Sequence, residues 1–259
     1  MNTEHILQTE DLTKTYGKGG TQTKALCGIS IDVLEGEFLG IMGPSGSGKT
    51  TLLNCVATML RPTSGRVILR GKDIASFKSS QLTEYRGQEI GYLFQEFELL
   101  DNLTARENIT LPLALHGITG DSADSRISLL ASKLDITDVL DKFPSQMSGG
   151  QKQRVAAARA LISDPGIVLA DEPTGALDSR NSRILMDKLA AINKNDGKTI
   201  MMVTHDANAA SYCTRILFIQ DGKVFHELRK SAAGETTAAF YDRIVAVMAQ
   251  LGGGSANVL

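Results

Sequence analysis

The sequence predicts an α/β fold built on a largely parallel central sheet. Three observations point there. Strand-like apolar runs alternate with helix-like segments, a glycine-rich loop joins one such strand to one such helix, and a second apolar run ends in two adjacent acids. Residues 6–42 read as short strands and turns, with apolar alternation over 25–34 and a turn at Glu35-Gly36-Glu37. Phe38–Met42 reads as a buried strand and 51–59 as a helix, stopped at Arg61-Pro62. Ser64-Gly65 turns into a strand over 66–69, and another spans 90–94, ending at Gln95. From Leu99 to Phe143 apolar residues fall at helical spacing, notably over 109–115 and 127–134, which predicts a helical insert. A helix over 151–162 stops at Asp164-Pro165. A buried strand over 167–170, a helix over 182–192, a strand over 199–204 and the strand Arg215–Gln220 follow, the last closed by Asp221-Gly222. In the tail, Phe240, Ile244, Val247 and Leu251 share one helical face, predicting an amphipathic helix.

Composition narrows the function classes. The 259 residues are 42% hydrophobic and 22% charged, the balance of a globular protein, and the net charge of −2 predicts no nucleic-acid partner. No apolar run reaches the roughly 18 residues that span a bilayer. The polar start Met1-Asn2-Thr3-Glu4-His5 lacks the features of a signal peptide. Cys27, Cys55 and Cys213 lie far apart and read as reduced, packed thiols.

The chemistry is set by Gly43-Pro44-Ser45-Gly46-Ser47-Gly48-Lys49-Thr50, which fits G-x-x-x-x-G-K-[ST] between a strand and a helix that begins near Thr51. Gly43, Gly46 and Gly48 let the backbone curl so that successive N–H groups face phosphate oxygens. The helix N-terminus adds unpaired amides and partial positive charge. Lys49 would carry its charge to the β- and γ-phosphates, and the Thr50 hydroxyl would ligate Mg²⁺. The cofactors expected are therefore ATP and Mg²⁺. The run ending in Asp171-Glu172 suits the other half of such a site, Asp171 beside the metal and Glu172 orienting the attacking water. Taken alone, the pair could simply cap a strand end. Ser148-Gly149-Gly150-Gln151 opens a helix with a good N-cap and uncovered amides.

With these three motifs in this order, residues 5–228 resemble the ATP-binding subunits of ABC transporters. Ser148-Gly149-Gly150-Gln151 looks like the family signature, preceded by Met147 where Leu is usual. Tyr16 matches the aromatic that stacks on adenine, and Gln95 the glutamine that joins the Mg²⁺ site to the insert. Asp178 ends the loop after the acids, with Gly175 where Ser is frequent, and His205 matches the histidine that contacts the γ-phosphate. The resemblance implies a P-loop NTPase fold with an N-terminal antiparallel β subdomain and a helical ABC-specific insert at about 96–160. The ATP-binding domain would span 1–230, leaving a tail of 231–259. It further implies that Glu172, His205 and Gln95 act in catalysis, with Thr50, Gln95 and Asp171 at the metal. Tyr16 and the run from Gly43 to Thr51 would bind one ATP, and Ser148, Gly149, Gly150, Gln151 and Asp178 of a second copy would close over it.

An ABC subunit without a membrane span needs a separate permease, met by the insert and by the Gln95-Glu96-Phe97-Glu98 loop. That places the subunit on the cytoplasmic face of the membrane. Phe97-Glu98-Leu99-Leu100, Leu103-Thr104-Ala105-Arg106-Glu107-Asn108 and Glu172-Pro173-Thr174-Gly175-Ala176-Leu177-Asp178 look like the group serving macrolide, lipoprotein-release and antimicrobial-peptide systems. Thr204-His205-Asp206, Ala209-Ala210-Ser211-Tyr212-Cys213 and the tail resemble its bacitracin-type resistance and sensing members. The expected partners are an FtsX-like permease, a second copy of the chain and, through the permease, a sensor histidine kinase. A soluble ABC-type ATPase working without a permease is the rival reading.

Overall fold

A computed structural model describes residues 4–17, 21–231 and 234–253, and these form two sheets, eight α-helices and three short 3-10 turns. The polar start at Met1–Thr3 and the end of the tail, 254–259, lie outside the described residues. The first sheet is antiparallel, in the order β2 (Thr23–Leu34), β1 (His5–Tyr16), β4 (Ser64–Leu69), β5 (Lys72–Asp73). The second runs β10 (Lys223–Arg229), β9 (Arg215–Gln220), β3 (Phe38–Met42), β8 (Thr199–Val203), β7 (Ile167–Asp171), β6 (Ile90–Leu93). Its strands β6 to β9 and β3 pair in parallel, and β10 folds back antiparallel on β9. Every residue of β3 and β8 is buried, as continuous apolar strands covered on both faces must be.

Helix α1 (Lys49–Val56) leaves the tip of β3 and packs Leu52, Leu53 and Val56 between the two sheets. α2 (Ser79–Glu89) buries little beyond Tyr85. The predicted insert is α3 (Ala105–Leu115), α4 (Asp121–Leu134) and α5 (Gly149–Leu161), sharing one core with the opposite face of the parallel sheet. The approach to α3 is tied down by Asn108, fully buried, whose Nδ2 donates to the carbonyls of Leu100, Leu103 and Thr104 at 3.0–3.1 Å. Thr104 and Glu107 cap that helix reciprocally, so this stretch has a structural reason for its residues.

α6 (Ser179–Asp196) and α7 (Ala207–Ala210) complete the body. The tail forms α8 (Thr237–Gly253), with Phe240 and Ile244 fully buried in the same core. Glu235 anchors its start. The Ser231 amide donates to Glu235 Oε2 at 2.7 Å, and Arg243 reaches both carboxylate oxygens at 2.9–3.0 Å. The strand β10, α2 and α7 were not foreseen in the sequence. The helices at 51–59, 151–162 and 182–192 begin two or three residues earlier than expected, at Lys49, Gly149 and Ser179.

Candidate active site

The C-terminal edge of the parallel sheet carries a cavity of about 820 Å³ lined by Gly43–Gly46, Gly48–Thr51, Glu172 and His205. Parallel strands deliver these residues together because β3, β7 and β8 all end on this side. Gly43 and Gly48 have φ of 153° and 103°, and a Cβ on either would lie 2.0 Å from the Ile219 carbonyl or 2.3 Å from the Ala25 carbonyl. Only glycine lets the loop curl this tightly against the strands.

Lys49 is 7% exposed, and its Nζ donates to the carbonyls of Gly43 at 2.9 Å and Pro44 at 2.8 Å. Burial pushes its pKa down, opposed by the charges of Glu172 and Asp171. Ser47 lies inside the loop with its Oγ buried and without a hydrogen-bond partner. Thr50 Oγ1 donates to Asp171 Oδ1 at 3.4 Å, linking loop and acid pair. Burial, then the neighbouring Glu172 charge, raises the Asp171 pKa; bonds from Thr50 and Tyr92 and the Lys49 charge pull the other way.

Glu172 sits in the left-handed region at φ 45°. Its amide still donates to the Val203 carbonyl at 2.9 Å, so the strand ends in a kink that turns the side chain toward the cavity. There its Oε2 is 2.7 Å from His205 Nδ1. Tyr16 stands at the rim, its hydroxyl 3.4 Å from Thr51 Oγ1.

The donor set fits Mg²⁺-ATP. A lysine held by the carbonyl oxygens of Gly43 and Pro44, a threonine hydroxyl bonded to Asp171 and the Glu172 side chain all border the same cavity. Among the described residues no three His, Cys, Asp or Glu side chains gather as a metal group. Mg²⁺ suits such a place, because it takes one or two protein oxygens and draws the rest from phosphate and water.

Other expected site residues lie away from this cavity within one chain. Gln95 has no hydrogen bond to Thr50 or Asp171 among the described residues; its amide lies against Gly175, where a Cβ would come within 2.8 Å of Nε2. Ser148 caps α5 by accepting from Gln151 N, while the Gln151 side chain answers the Ser148 amide. Gly150 approaches Asn181, whose Nδ2 donates to Asp178 Oδ2 at 2.7 Å. The N-termini of α5 and α6 thus form one surface, presented outward. The backbone and side-chain bonds from Asn181 hold the Asp178 pKa down.

Two residues escaped the sequence reading. Gln153 is fully buried, and its Nε2 donates to Phe94 O at 2.9 Å and Pro173 O at 2.7 Å, the carbonyls just before Gln95 and just after Glu172. Arg159 donates to the carbonyls of Phe97, at 2.8 Å, and Glu98, both of which have positive φ. The signal for Gln153 was its place on one helical stripe with Ala156, Ala157 and Ala160.

Residues 26–175 match the family described as ABC transporter. The chain is 44% identical over 248 residues to the bacitracin export ATP-binding protein BceA of Halalkalibacterium halodurans, covering 96% of this chain and 97% of that one. It is 39% identical to the macrolide export ATP-binding/permease protein MacB of Hyphomonas neptunium, covering 90% of this chain but 36% of that protein. Among solved structures, the dimeric post-hydrolysis state of the ATP-binding cassette MJ0796, bound to ADP and Pi, superposes with a TM-score of 0.79 at 39% identity, covering 86% of this chain and 98% of that one. MJ0796 comes from Methanocaldococcus jannaschii.

Proposed function

This chain belongs to the ABC transporter family, and we propose that it powers a separate FtsX-like membrane permease in resistance to, or sensing of, antimicrobial peptides of the bacitracin type. It is an ATP-binding and ATP-hydrolysing subunit. The observation that carries the chemistry is the single cavity uniting the Gly43–Thr51 loop with Glu172 and His205. The subgroup reading rests on the match to the bacitracin export protein along nearly the full length of both chains.

In this reading Lys49 exchanges the carbonyls of Gly43 and Pro44 for β- and γ-phosphate oxygens, which stabilise its charge better than neutral acceptors. Thr50 and Asp171 would hold Mg²⁺ through their side-chain oxygens, and Gln95, which lies against Gly175, would join them. Bound Mg²⁺ would neutralise charge developing on the phosphates. Glu172 orients water and takes its proton once His205 turns from it toward the γ-phosphate. Tyr16 stacks on the adenine. A second copy contributes Ser148, Gly149, Gly150, Gln151 and Asp178 to the same nucleotide, so that ATP holds two subunits together and hydrolysis parts them.

Among the described residues no helix is long and apolar enough to cross a membrane. In line with the near full-length match to a stand-alone ATP-binding protein, the permease would be a separate chain, docked on Glu96, Glu98 and Asp101 and on the helical insert, with this subunit on the cytoplasmic face and a sensor kinase reached through the permease. The macrolide-exporting relative favours a second reading, macrolide efflux. Inhibitory concentrations of bacitracin and of a macrolide, in a deletion strain and in strains restored with wild type or Glu172→Gln, decide between them. Raised peptide sensitivity, rescued only by wild type, is expected. A change confined to macrolides would replace the peptide reading. Detergent extraction with no co-purifying permease would favour a free-standing ATPase.

A further inference from the structure

The C-terminal half of α8 is unlike a solvated helix end. From Ile244 to Gly253 it carries no charged residue. Phe240 and Ile244 are buried and Val247, Met248 and Leu251 pack half-exposed against the core, but Tyr241, Val245 and Met248, at i, i+4 and i+7, also form a second apolar stripe, with Val245 40% exposed. This stripe lies where the chemistry is. Tyr241, Val245, Met248 and Ala249 line a shallow cavity of about 680 Å³ together with His205, Asp206, Ala207 and Asn208. Met248 and Leu251 also wall the cavity that holds Lys49, Thr50, Glu172 and His205.

Tyr241 shares a further cavity with Glu172, Leu177, Ser179 and His205, so this half-exposed face adjoins the loop that would meet a second copy when two subunits close on ATP. MJ0796, which pairs in its solved structure, aligns over 226 residues, 96% of its own length.

We infer that the Tyr241, Val245 and Met248 face of α8 is part of the contact between two ATP-bound copies of this chain. The inference rests on the two-copy reading above. In a symmetric pair the same face is used by both copies, so one substitution acts twice. The partner chemistry is apolar: the stripe offers no charge to a membrane headgroup or to an acidic or basic segment.

The test uses the full chain carrying Glu172→Gln, with Mg²⁺-ATP, and measures the dimer dissociation constant by light scattering over a dilution series. Val245→Glu should weaken pairing by about tenfold or more, because it places a charge in each half of a desolvated contact, whereas Val245→Leu should stay within about threefold. Binding of a fluorescent ATP analogue to the monomer should be unchanged in both. Pairing of Val245→Glu as tight as the parent overturns the inference. So does a parallel loss of nucleotide binding, which would make the stripe a wall of its own subunit's cavity. A Glu172→Gln parent that never pairs removes the two-copy reading itself, and this contact with it.

Discussion

Replacing Gln153 by leucine and by glutamate separates two contributions that the wild-type side chain combines. Gln153 is fully buried, donates from Nε2 to Phe94 O and Pro173 O, and leaves Oε1 without a partner. Leucine abandons both carbonyls, at about 1–3 kcal/mol each, and recovers about the same amount once by deleting the unpaired Oε1. The net loss is therefore about 1–3 kcal/mol. Glutamate keeps the shape but cannot donate while ionised, and it turns an acceptor toward two carbonyl oxygens in a dry site. It should be worse than leucine at neutral pH by about 2 kcal/mol or more. Burial and the facing carbonyls raise the folded-state pKa of that glutamate above its unfolded value of about 4.3. The penalty is then full above the folded pKa and is recovered as pH falls from the folded toward the unfolded value, where a protonated carboxyl can donate. Urea unfolding across the acid range, beside steady-state turnover, reads both effects. Turnover should fall more than ATP affinity, because the two carbonyls flank Gln95 and Glu172. Leucine at wild-type stability and turnover, or glutamate no worse than leucine at neutral pH, would refute the clamp.

Lys49→Ala should weaken binding of a fluorescent ATP analogue by roughly 10–100-fold, the worth of a charge-assisted bond, while the melting temperature stays near wild type; unchanged affinity would remove Lys49 from the phosphate site. Gly175→Ser introduces a Cβ that meets only the flexible end of Gln95, so the fold should persist while Gln95 is displaced. Its Mg²⁺-dependent turnover should change, and kinetics indistinguishable from wild type would show that the resting place of Gln95 is immaterial. Glu235 has its pKa held down by the Ser231 amide and then by Arg243. Its anchoring of α8 is therefore present above the unfolded glutamate pKa of about 4.3 and lost as pH falls through the lower folded value. Hydrogen exchange of α8, corrected for intrinsic rates, should show this loosening in wild type. Glu235→Gln should already be loose at neutral pH, and equal protection in the two proteins would contradict the anchor.

The parallel sheet was legible because its strands are continuous apolar runs: Phe38–Met42, Ile167–Asp171 and Thr199–Val203 are buried almost throughout. The phosphate loop was legible because glycine spacing and a flanking strand and helix leave little else for those residues to do. β10 was hidden by its position. Six of its seven residues are exposed, among them Lys223, His226, Glu227 and Arg229, and only Leu228 is buried, as suits an edge strand. α2 gave no period because Tyr85 is its one buried residue. Gln153 and Arg159 belong to types that usually face water, and their targets are main-chain carbonyls 61 and 62 positions away in sequence for Arg159 and 20 and 59 for Gln153, which no local pattern announces.

α5 begins at the cap Ser148 and carries Arg159 eleven positions on, about 16 Å along a helix rising 1.5 Å per residue. At the near end are the amides of Gly149 and Gly150; at the far end Arg159 grips the two left-handed residues Phe97 and Glu98. Gln153 stands between them, fastened to the strand ends that lead to Gln95 and from Glu172. The helix is therefore a lever with a fulcrum nearer one end. The Phe97–Glu98 loop is tied to the arm by two bonds from one guanidinium, so the loop and the Ser148 tip share one rigid element as their shortest connection. The same connection serves a ligand that binds the tip, because its amides and the Arg159 guanidinium sit on one helix.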